Sequence, residues 1–298
     1  MPSRLMKYFV ATRPWSFSMS FISVSVGTLV AASEHPVNWL WFLITIIGVM
    51  ALHGAANILN DYFDTVQGVD EKDSPTVKYR PHPIFAGLMT AKAVLVEGLL
   101  LLVVAVIVGI GAAYSRTPHI LWIGLLGVLT CLLYTAGPLQ FKYHALGELA
   151  VFLMWGPLMV EGAYAVQAKA VALKPIFVSI PIGLLVALVL FANNIRDIGH
   201  DKRREIKTIA IVLGQERSLT VFMGLIILTY TSVVLMVLWG LASSWAFLTF
   251  FSLPRAVDLL KTLKKSIPDE ADALTAKYNL VFGFLFMIAI LLEKVHWL

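Results

Sequence analysis

Two runs of oxygen-bearing side chains interrupt a chain that is otherwise strongly apolar. The first is Asn57-Ile58-Leu59-Asn60-Asp61-Tyr62-Phe63-Asp64, followed by Asp70 and Asp73. The second is Asn193-Asn194-Ile195-Arg196-Asp197-Ile198-Gly199-His200-Asp201. Each closes a long apolar run. A carboxylate at the end of a membrane helix is costly, because the charge gives up its hydration there. Two similar clusters in one such chain imply a shared purpose, and the simplest is to hold divalent cations against a polyanionic ligand.

Helix geometry sharpens this reading. His53, Asn57, Asp61 and Asp64 are spaced i, i+4, i+8 and i+11, which puts them on one face of a helix. Asn193, Asn194, Asp197 and Asp201 repeat the arrangement, and the Asn-x-x-x-Asp spacing recurs in both clusters. Carboxylates and carboxamide carbonyls are the hard oxygen donors that Mg²⁺ prefers, and Mg²⁺ commonly shares its shell with phosphate oxygens. Asn57, Asp61, Asp64, Asp197 and Asp201 are therefore the candidate metal ligands, with the four aspartates as the candidate catalytic groups. Arg80, Lys142, Arg196, Lys202, Arg204 and Lys207 lie near the same helix ends, and such cations neutralise phosphate oxygens. An acid-only site suits a cation, whereas acid with base suits a Mg²⁺-diphosphate. Arg80, Lys142, Arg196 and Lys207, with Asn57, Asn60, Asn193 and Tyr134, are the candidate contacts to that unit.

Blander readings exist for each feature. Asp and Asn at a helix end serve as caps, and Arg and Lys there serve as anchors. Carboxylates in membrane helices also carry cations in transporters, but those usually lie near the bilayer midplane. His53 reads as a packed or hydrogen-bonded histidine, while His82, His144 and His200 are loop residues without metal-ligand spacing. Glu161, midway along an apolar segment, either faces a cavity or pairs with a polar neighbour. Tyr62, Phe63, Tyr134, Trp155 and Tyr164 are placed near the expected cavity, where their π faces would stabilise a carbocation; any one of them alone reads better as a lipid-belt or core aromatic.

The elements that position these residues are membrane helices. The 298 residues are 59% hydrophobic and 14% charged, with a mean hydropathy of +0.82, beyond the range of soluble domains. A spanning helix needs about 20 apolar residues, and nine stretches qualify: 15–32, 38–60, 91–113, 119–136, 145–167, 174–195, 217–238, 240–260 and 276–293. Pro254, Arg255 and Asp258 interrupt the eighth. The fold class expected is all-α, a single domain over residues 1–298, with nine transmembrane helices around a central cavity open to lipid. The N-terminal basic segment leads into a full span and reads as a first membrane helix. Cys131, the only cysteine, excludes an intrachain disulfide and reads as packing.

Of the 23 Lys and Arg residues, all but Arg116, Lys169, Lys174 and Lys294 fall on the side of the N-terminus. Cytoplasmic loops carry that excess, so the N-terminus and both acidic clusters are expected in the cytoplasm and the C-terminus outside. The net charge of +5 is then topological, and nothing suggests nucleic-acid binding. Polar segments follow each cluster, over about 64–90 and 197–216, and loops of such length are commonly functional lids. Between the fourth and fifth spans, Gly137-Pro138 breaks the helix and places Lys142 on the cytoplasmic side.

At these residues the chain resembles the UbiA superfamily of intramembrane prenyltransferases. Asn57, Asp61 and Asp64, then Asp197 and Asp201, match its two Asp-rich motifs at the ends of the second and sixth helices, and Arg13-Pro14-Trp15 precedes the first. Asn60-Asp61-Tyr62-Phe63-Asp64 with Gly68-Val69-Asp70, Tyr134-Thr135-Ala136-Gly137-Pro138, Leu146-Gly147-Glu148 with Gly156-Pro157, and Asn193-Asn194-Ile195-Arg196-Asp197 with Lys207-Thr208 are most similar to the branch that prenylates 1,4-dihydroxy-2-naphthoate in menaquinone synthesis. Tyr79-Arg80-Pro81-His82-Pro83-Ile84 departs from that branch. The resemblance implies Mg²⁺-dependent transfer of a polyprenyl group from an allylic diphosphate to an aromatic acceptor, with the tail in membrane lipid. Other acceptors (4-hydroxybenzoate, chlorophyllide, haem or glycerol phosphate) and a cation-coupled carrier are the alternatives. The stretch Asp-Gly-x-x-Ala-Arg of CDP-alcohol phosphotransferases is absent.

Overall fold

Apolar runs of this length leave the backbone one solution, since in lipid its polar groups must pair within their own segment. The computed structural model describes residues 3–204 and 206–295. In chain order its helices are α1 (Arg4–Ala11), α2 (Phe17–Ala32), α3 (Trp39–Val66), α4 (Pro75–Tyr79), α5 (Ala91–Ser115), α6 (His119–Thr135), α7 (Gly147–Leu153), α8 (Met159–Ala168), α9 (Leu173–Val178), α10 (Ile180–Arg203), α11 (Ile209–Leu213), α12 (Gln215–Leu238), α13 (Leu253–Lys265) and α14 (Ala271–Val295). Among the described residues no strand forms.

Among the described residues seven helical stretches are long and apolar enough to cross a membrane: Pro14–Ala32, Trp39–Val66, Ala91–Ser115, Gly147–Ala168, Leu173–Arg203, Gln215–Leu238 and Ala271–Glu293. The other two expected spans differ. The stretch at 119–136 forms α6, a shorter apolar helix. The stretch at 240–260 becomes a 3₁₀ helix, Ser244–Ser252, running into α13. Pro254 suits the first turn of a new α-helix, where its missing N–H costs nothing. On α13, Ala256, Leu259 and Leu263 are buried while Arg255, Asp258, Lys261 and Lys264 are exposed. That i, i+3, i+7 pattern marks a helix half in polar surroundings.

The fifth span is broken at a π-helical turn, Met154–Leu158, which contains Pro157. Proline removes an intrahelical donor, and a π turn absorbs the defect. Close helix approaches fix the bundle. A Cβ on Gly183 of α10 would meet the Phe152 carbonyl at 2.7 Å, and one on Gly27 of α2 would meet the Val160 carbonyl at 2.2 Å. Small residues of this kind let membrane helices pack backbone to backbone. The main core joins α2, α8, α10, α12 and α14 through Ile22, Val26, Val160, Leu188, Phe222 and Phe282. On the other side α3, α5 and α6 turn Leu43, Ile107 and Trp122 outward.

Two loops are tied down over one end of the bundle. After α3, the amides of Val69 and Asp70 donate to the Asp64 carbonyl at 2.8 and 3.0 Å, with Gly68 left-handed at φ 72°. The loop of residues 136–146 has Gln140 and Ala145 at positive φ. It is held by backbone bonds to the segment after α10: Lys207 N–H to the Tyr143 carbonyl at 3.2 Å, and Ala145 N–H to the Lys207 carbonyl at 2.6 Å.

Candidate active site

The first acidic stripe is helical throughout, because α3 continues to Val66. Its donors therefore share one face, as the spacing predicts. Asp61 is fully buried. It pairs with Arg13 and with Arg80, whose Nη2 lies 2.7 Å and Nη1 3.3 Å from its two oxygens. One turn on, Asp64 pairs with Lys142 and accepts a hydrogen bond from the Tyr143 hydroxyl. Asn60 Nδ2 donates to the same carboxylate at 2.7 Å. Asn57 donates through Nδ2 to the Thr12 carbonyl at 3.0 Å and to Ser16 Oγ at 3.1 Å.

The second stripe lies along the last turns of α10. Arg196 grips Asp197 with Nε at 2.7 Å and Nη2 at 2.8 Å, and reaches Asn193 Oδ1 at 2.7 Å. It extends to Asp272 on α14 at 3.3 Å and stacks over the Tyr79 ring at 5.5 Å. Asn193 and Arg196 of this stripe line the same cavity as Asn57, Asn60 and Asp64 of the first. His200 Nε2 lies 3.0 Å from the Val69 carbonyl, and Arg204 pairs with Glu71, which docks the post-α3 loop on α10.

The loop groups carry charges set by these neighbours. Burial works against the Lys142 ammonium, but Asp64 outweighs it and raises its pKa well above the ordinary value. Burial and the Asp64 charge together hold the Tyr143 phenol protonated, as its donor role requires. Burial would raise the Asp70 carboxyl, yet the His82 imidazole 3.4 Å away and the Lys142 charge prevail and lower it.

A cavity of about 590 Å³ opens beside both stripes. Arg13, Ser16, Asn57, Asn60, Asp64, Arg80, Tyr134, Lys142, Asn193 and Arg196 line its polar end; its remaining walls, from α3, α5, α6 and α8, are largely apolar. Of the residues singled out by sequence, Asp61, Asp197 and Asp201 are not on the cavity wall; Asp61 and Asp197 sit behind arginines. The Lys207 side chain is exposed, and its backbone clamps the loop carrying Lys142. Among the aromatics, Tyr134 and Trp155 line the cavity. Tyr62, Phe63 and Tyr164 do not, and Tyr164 belongs to the main core. Glu161 turns away from the cavity and accepts from the Ala172 amide at 2.8 Å.

Several site neighbours escaped the sequence reading. Arg13 stood out only within a motif, and its approach to Asp61 spans 48 residues. His82, expected to be an uninvolved loop residue, is fully buried 3.4 Å from Asp70 and 3.8 Å from Asp61. These three offer ligand atoms within 4.8 Å of one another. Sequence spacing could not show this, because the chain folds back through α4 to bring His82 over α3. Asp272 likewise arrives from a distant helix.

Comparison with known proteins is consistent with this geometry. The UbiA prenyltransferase family profile matches residues 20–290. The 1,4-dihydroxy-2-naphthoate octaprenyltransferase of Bacillus subtilis (strain 168) is 32% identical over 95% of this chain and 91% of its own. UbiA prenyltransferase domain-containing protein 1 of Homo sapiens is 31% identical over 96% of this chain and 83% of its own. Among solved structures, a UbiA homolog from Archaeoglobus fulgidus bound to DMAPP and Mg²⁺ superposes with a TM-score of 0.67 at 14% identity, covering 95% of this chain and 99% of that one. A match over most of its length, together with relatives above 30% identity across nearly the whole chain, places this protein in the UbiA prenyltransferase family, whose members are intramembrane prenyltransferases.

Proposed function

We propose that the protein transfers a polyprenyl group from an allylic diphosphate to 1,4-dihydroxy-2-naphthoate in menaquinone synthesis. The observation that carries this reading is the polar end of the cavity, where two oxygen-rich stripes interleave with Arg13, Arg80, Lys142 and Arg196 above apolar walls. The acceptor rests on the similarity to the Bacillus naphthoate enzyme over nearly all of both chains. The Archaeoglobus homolog, bound to DMAPP and Mg²⁺, supports the diphosphate and the metal.

The donor set fits Mg²⁺, being all oxygen. Asn57 commits its amide nitrogen to Thr12 and Ser16, which leaves its Oδ1 for the cavity, and Asp201 has no ion pair among the described residues. Asn57, Asp61, Asp64, Asp197 and Asp201 would hold the metal. Bound Mg²⁺ supplies Lewis-acid charge that stabilises departing diphosphate. The protein does the rest. Arg13, Arg80, Lys142 and Arg196 donate to diphosphate oxygens as the allylic C–O bond breaks with its electron pair leaving on diphosphate. Tyr134 and Trp155 offer π faces to the allylic cation. The apolar walls exclude the water that would quench it. The acceptor ring then forms the C–C bond and loses a proton or carbon dioxide.

The frame for this is nine spans, α6 and the segment 244–265 being the fourth and eighth, in the cell membrane. The Lys/Arg bias puts the N-terminus and site in the cytoplasm and the C-terminus outside. Purified protein given geranylgeranyl diphosphate, Mg²⁺ and 1,4-dihydroxy-2-naphthoate should release diphosphate and form a prenylated naphthoquinol. Release only with 4-hydroxybenzoate, run in parallel, would overturn the acceptor. No release with either, and cation-coupled uptake into proteoliposomes instead, would overturn the enzyme.

A further inference from the structure

One polar array reaches into the cavity beyond the carboxylates, built from Ser16, Ser20, His53, Asn57 and Trp155. His53 lies eight residues before Asp61 on α3, about 12 Å along the axis. It is buried yet lines the cavity, and the rings of Phe17 and Trp155 pack on it at 5.3 and 4.8 Å.

The hydrogen-bond chemistry allows one polarity through this array. Ser16 Oγ gives its single proton to the Arg13 carbonyl at 2.8 Å. It can then only accept, and it accepts from Asn57 Nδ2 at 3.1 Å. Its contact with His53 Nε2 at 3.1 Å requires the proton to sit on that nitrogen. In a neutral imidazole His53 Nδ1 is then a bare acceptor, and Ser20 Oγ, 2.8 Å away, donates to it. Ser20 in turn accepts from Trp155 Nε1 at 3.1 Å. Both histidine nitrogens are spent within the protein, so the imidazole has nothing left to offer a ligand. The end of the chain is different. Both amide protons of Asn57 are used, on Ser16 and on the Thr12 carbonyl, and its Oδ1 has no hydrogen bond among the described residues. The same serine holds Arg13, left-handed at φ 56°, through bonds from its N–H at 2.9 Å and its hydroxyl to the Arg13 carbonyl. The guanidinium of Arg13 reaches Asp61 from that backbone.

We propose that His53 is a positioning residue for the diphosphate–Mg²⁺ site. Locked as the Nε2–H tautomer between Ser20 and Ser16, it keeps Ser16 an acceptor. Ser16 then fixes the Asn57 amide with its oxygen toward the metal and Arg13 with its side chain toward Asp61. This rests on the prenyl-transfer reading above and adds the group that orients one of its ligands.

Two measurements test it. The first needs no ligand: ¹⁵N-histidine NMR of the intact protein should show His53 as the neutral Nε2–H tautomer, and an Nδ1–H signature overturns the proposal. The second is Mg²⁺-dependent binding of geranylgeranyl S-thiolodiphosphate, an analogue that resists ionisation, followed by calorimetry. His53→Leu and Ser16→Ala should each weaken this binding about tenfold, equivalent to ~1.4 kcal/mol and the scale of one hydrogen bond. His53→Gln, whose amide can donate to Ser16 and accept from Ser20, should stay within about threefold of wild type. Equal losses in His53→Gln and His53→Leu would mean packing alone. Unchanged analogue binding with a raised acceptor KM would make His53 an acceptor-reading group and overturn the proposal. Wild-type protein that fails to bind the analogue at all sinks the prenyl-transfer reading with it; wild-type binding with unaltered variants sinks only the role of His53.

Discussion

Replacing Asp61 with alanine should do more than silence the site. Beside its place in the candidate metal-binding stripe, Asp61 has a second task in the structure. Its carboxylate is fully buried and is the shared counter-charge of two guanidiniums, Arg13 at 20% side-chain exposure and Arg80 at 10%. Removing one member of a buried ion pair costs about 3–5 kcal/mol, because the remaining charge is stranded. Here Arg13 keeps some access to water and Arg80 still feels Asp70, so the lower end applies, about 3 kcal/mol. At ~2–4 °C per kcal/mol for a chain of this order of size, Asp61→Ala should melt about 6–12 °C below wild type in detergent. Asp61→Asn, which keeps the shape and one acceptor, should lose roughly half as much. Adding Arg80→Leu to Asp61→Ala removes a stranded cation and should recover about 2 kcal/mol, a coupling that a double-mutant cycle reads directly. The melts need no substrate, so they stand apart from activity. An Asp61→Ala protein melting within about 2 °C of wild type would show the triad to be water-exposed and the reasoning wrong.

Lys142→Met removes the cation that lines the cavity against Asp64 and should raise KM for the allylic diphosphate about tenfold or more, leaving the acceptor KM within about twofold; equal rises in both would refute a diphosphate-specific role. Asp70 has a folded pKa below its ordinary value, so the stability it contributes is present above that value and is lost as pH falls through the depressed one. Asp70→Asn should therefore lower the melting temperature at pH 7 and flatten its decline below about pH 4; parallel curves for both proteins would contradict this. Glu161→Ala should cost about 1 kcal/mol through the lost bond to the Ala172 amide, with turnover within about twofold in both it and Glu161→Gln. An inactive Glu161→Gln with an unchanged melt would return Glu161 to the chemistry.

How far the sequence could be read depended on which physics set each feature. The long spans were legible because lipid imposes one rule on every residue of a segment. The 3₁₀ course of the expected eighth was not, since a 3₁₀ helix carries no period that tells it from an α-helix over so short a stretch. The stripe His53, Asn57, Asp61 and Asp64 was legible because it depends only on helical pitch. The same pitch argues against Tyr62 and Phe63 as cavity residues: five and six positions after Asn57, which lines the cavity, they sit about 140° and 120° around the helix from it.

The carboxylates' partners were not legible as pairs. The basic residues near the helix ends read as contacts for diphosphate, whereas in the structure they pair with Asp61, Asp64 and Asp197. Arg13 and Arg80 converge on one aspartate, however, only because a left-handed residue before α2 and the turn after α4 deliver two distant segments to the same oxygens. This convergence bears on function. The side chains expected to receive diphosphate are the ones now neutralising the acidic groups expected to receive metal. A Mg²⁺-diphosphate carries both kinds of charge, so it can pair with the acids and the bases together, where metal or diphosphate alone would strand one set. On the proposed function, these ion pairs favour taking up the two as a unit.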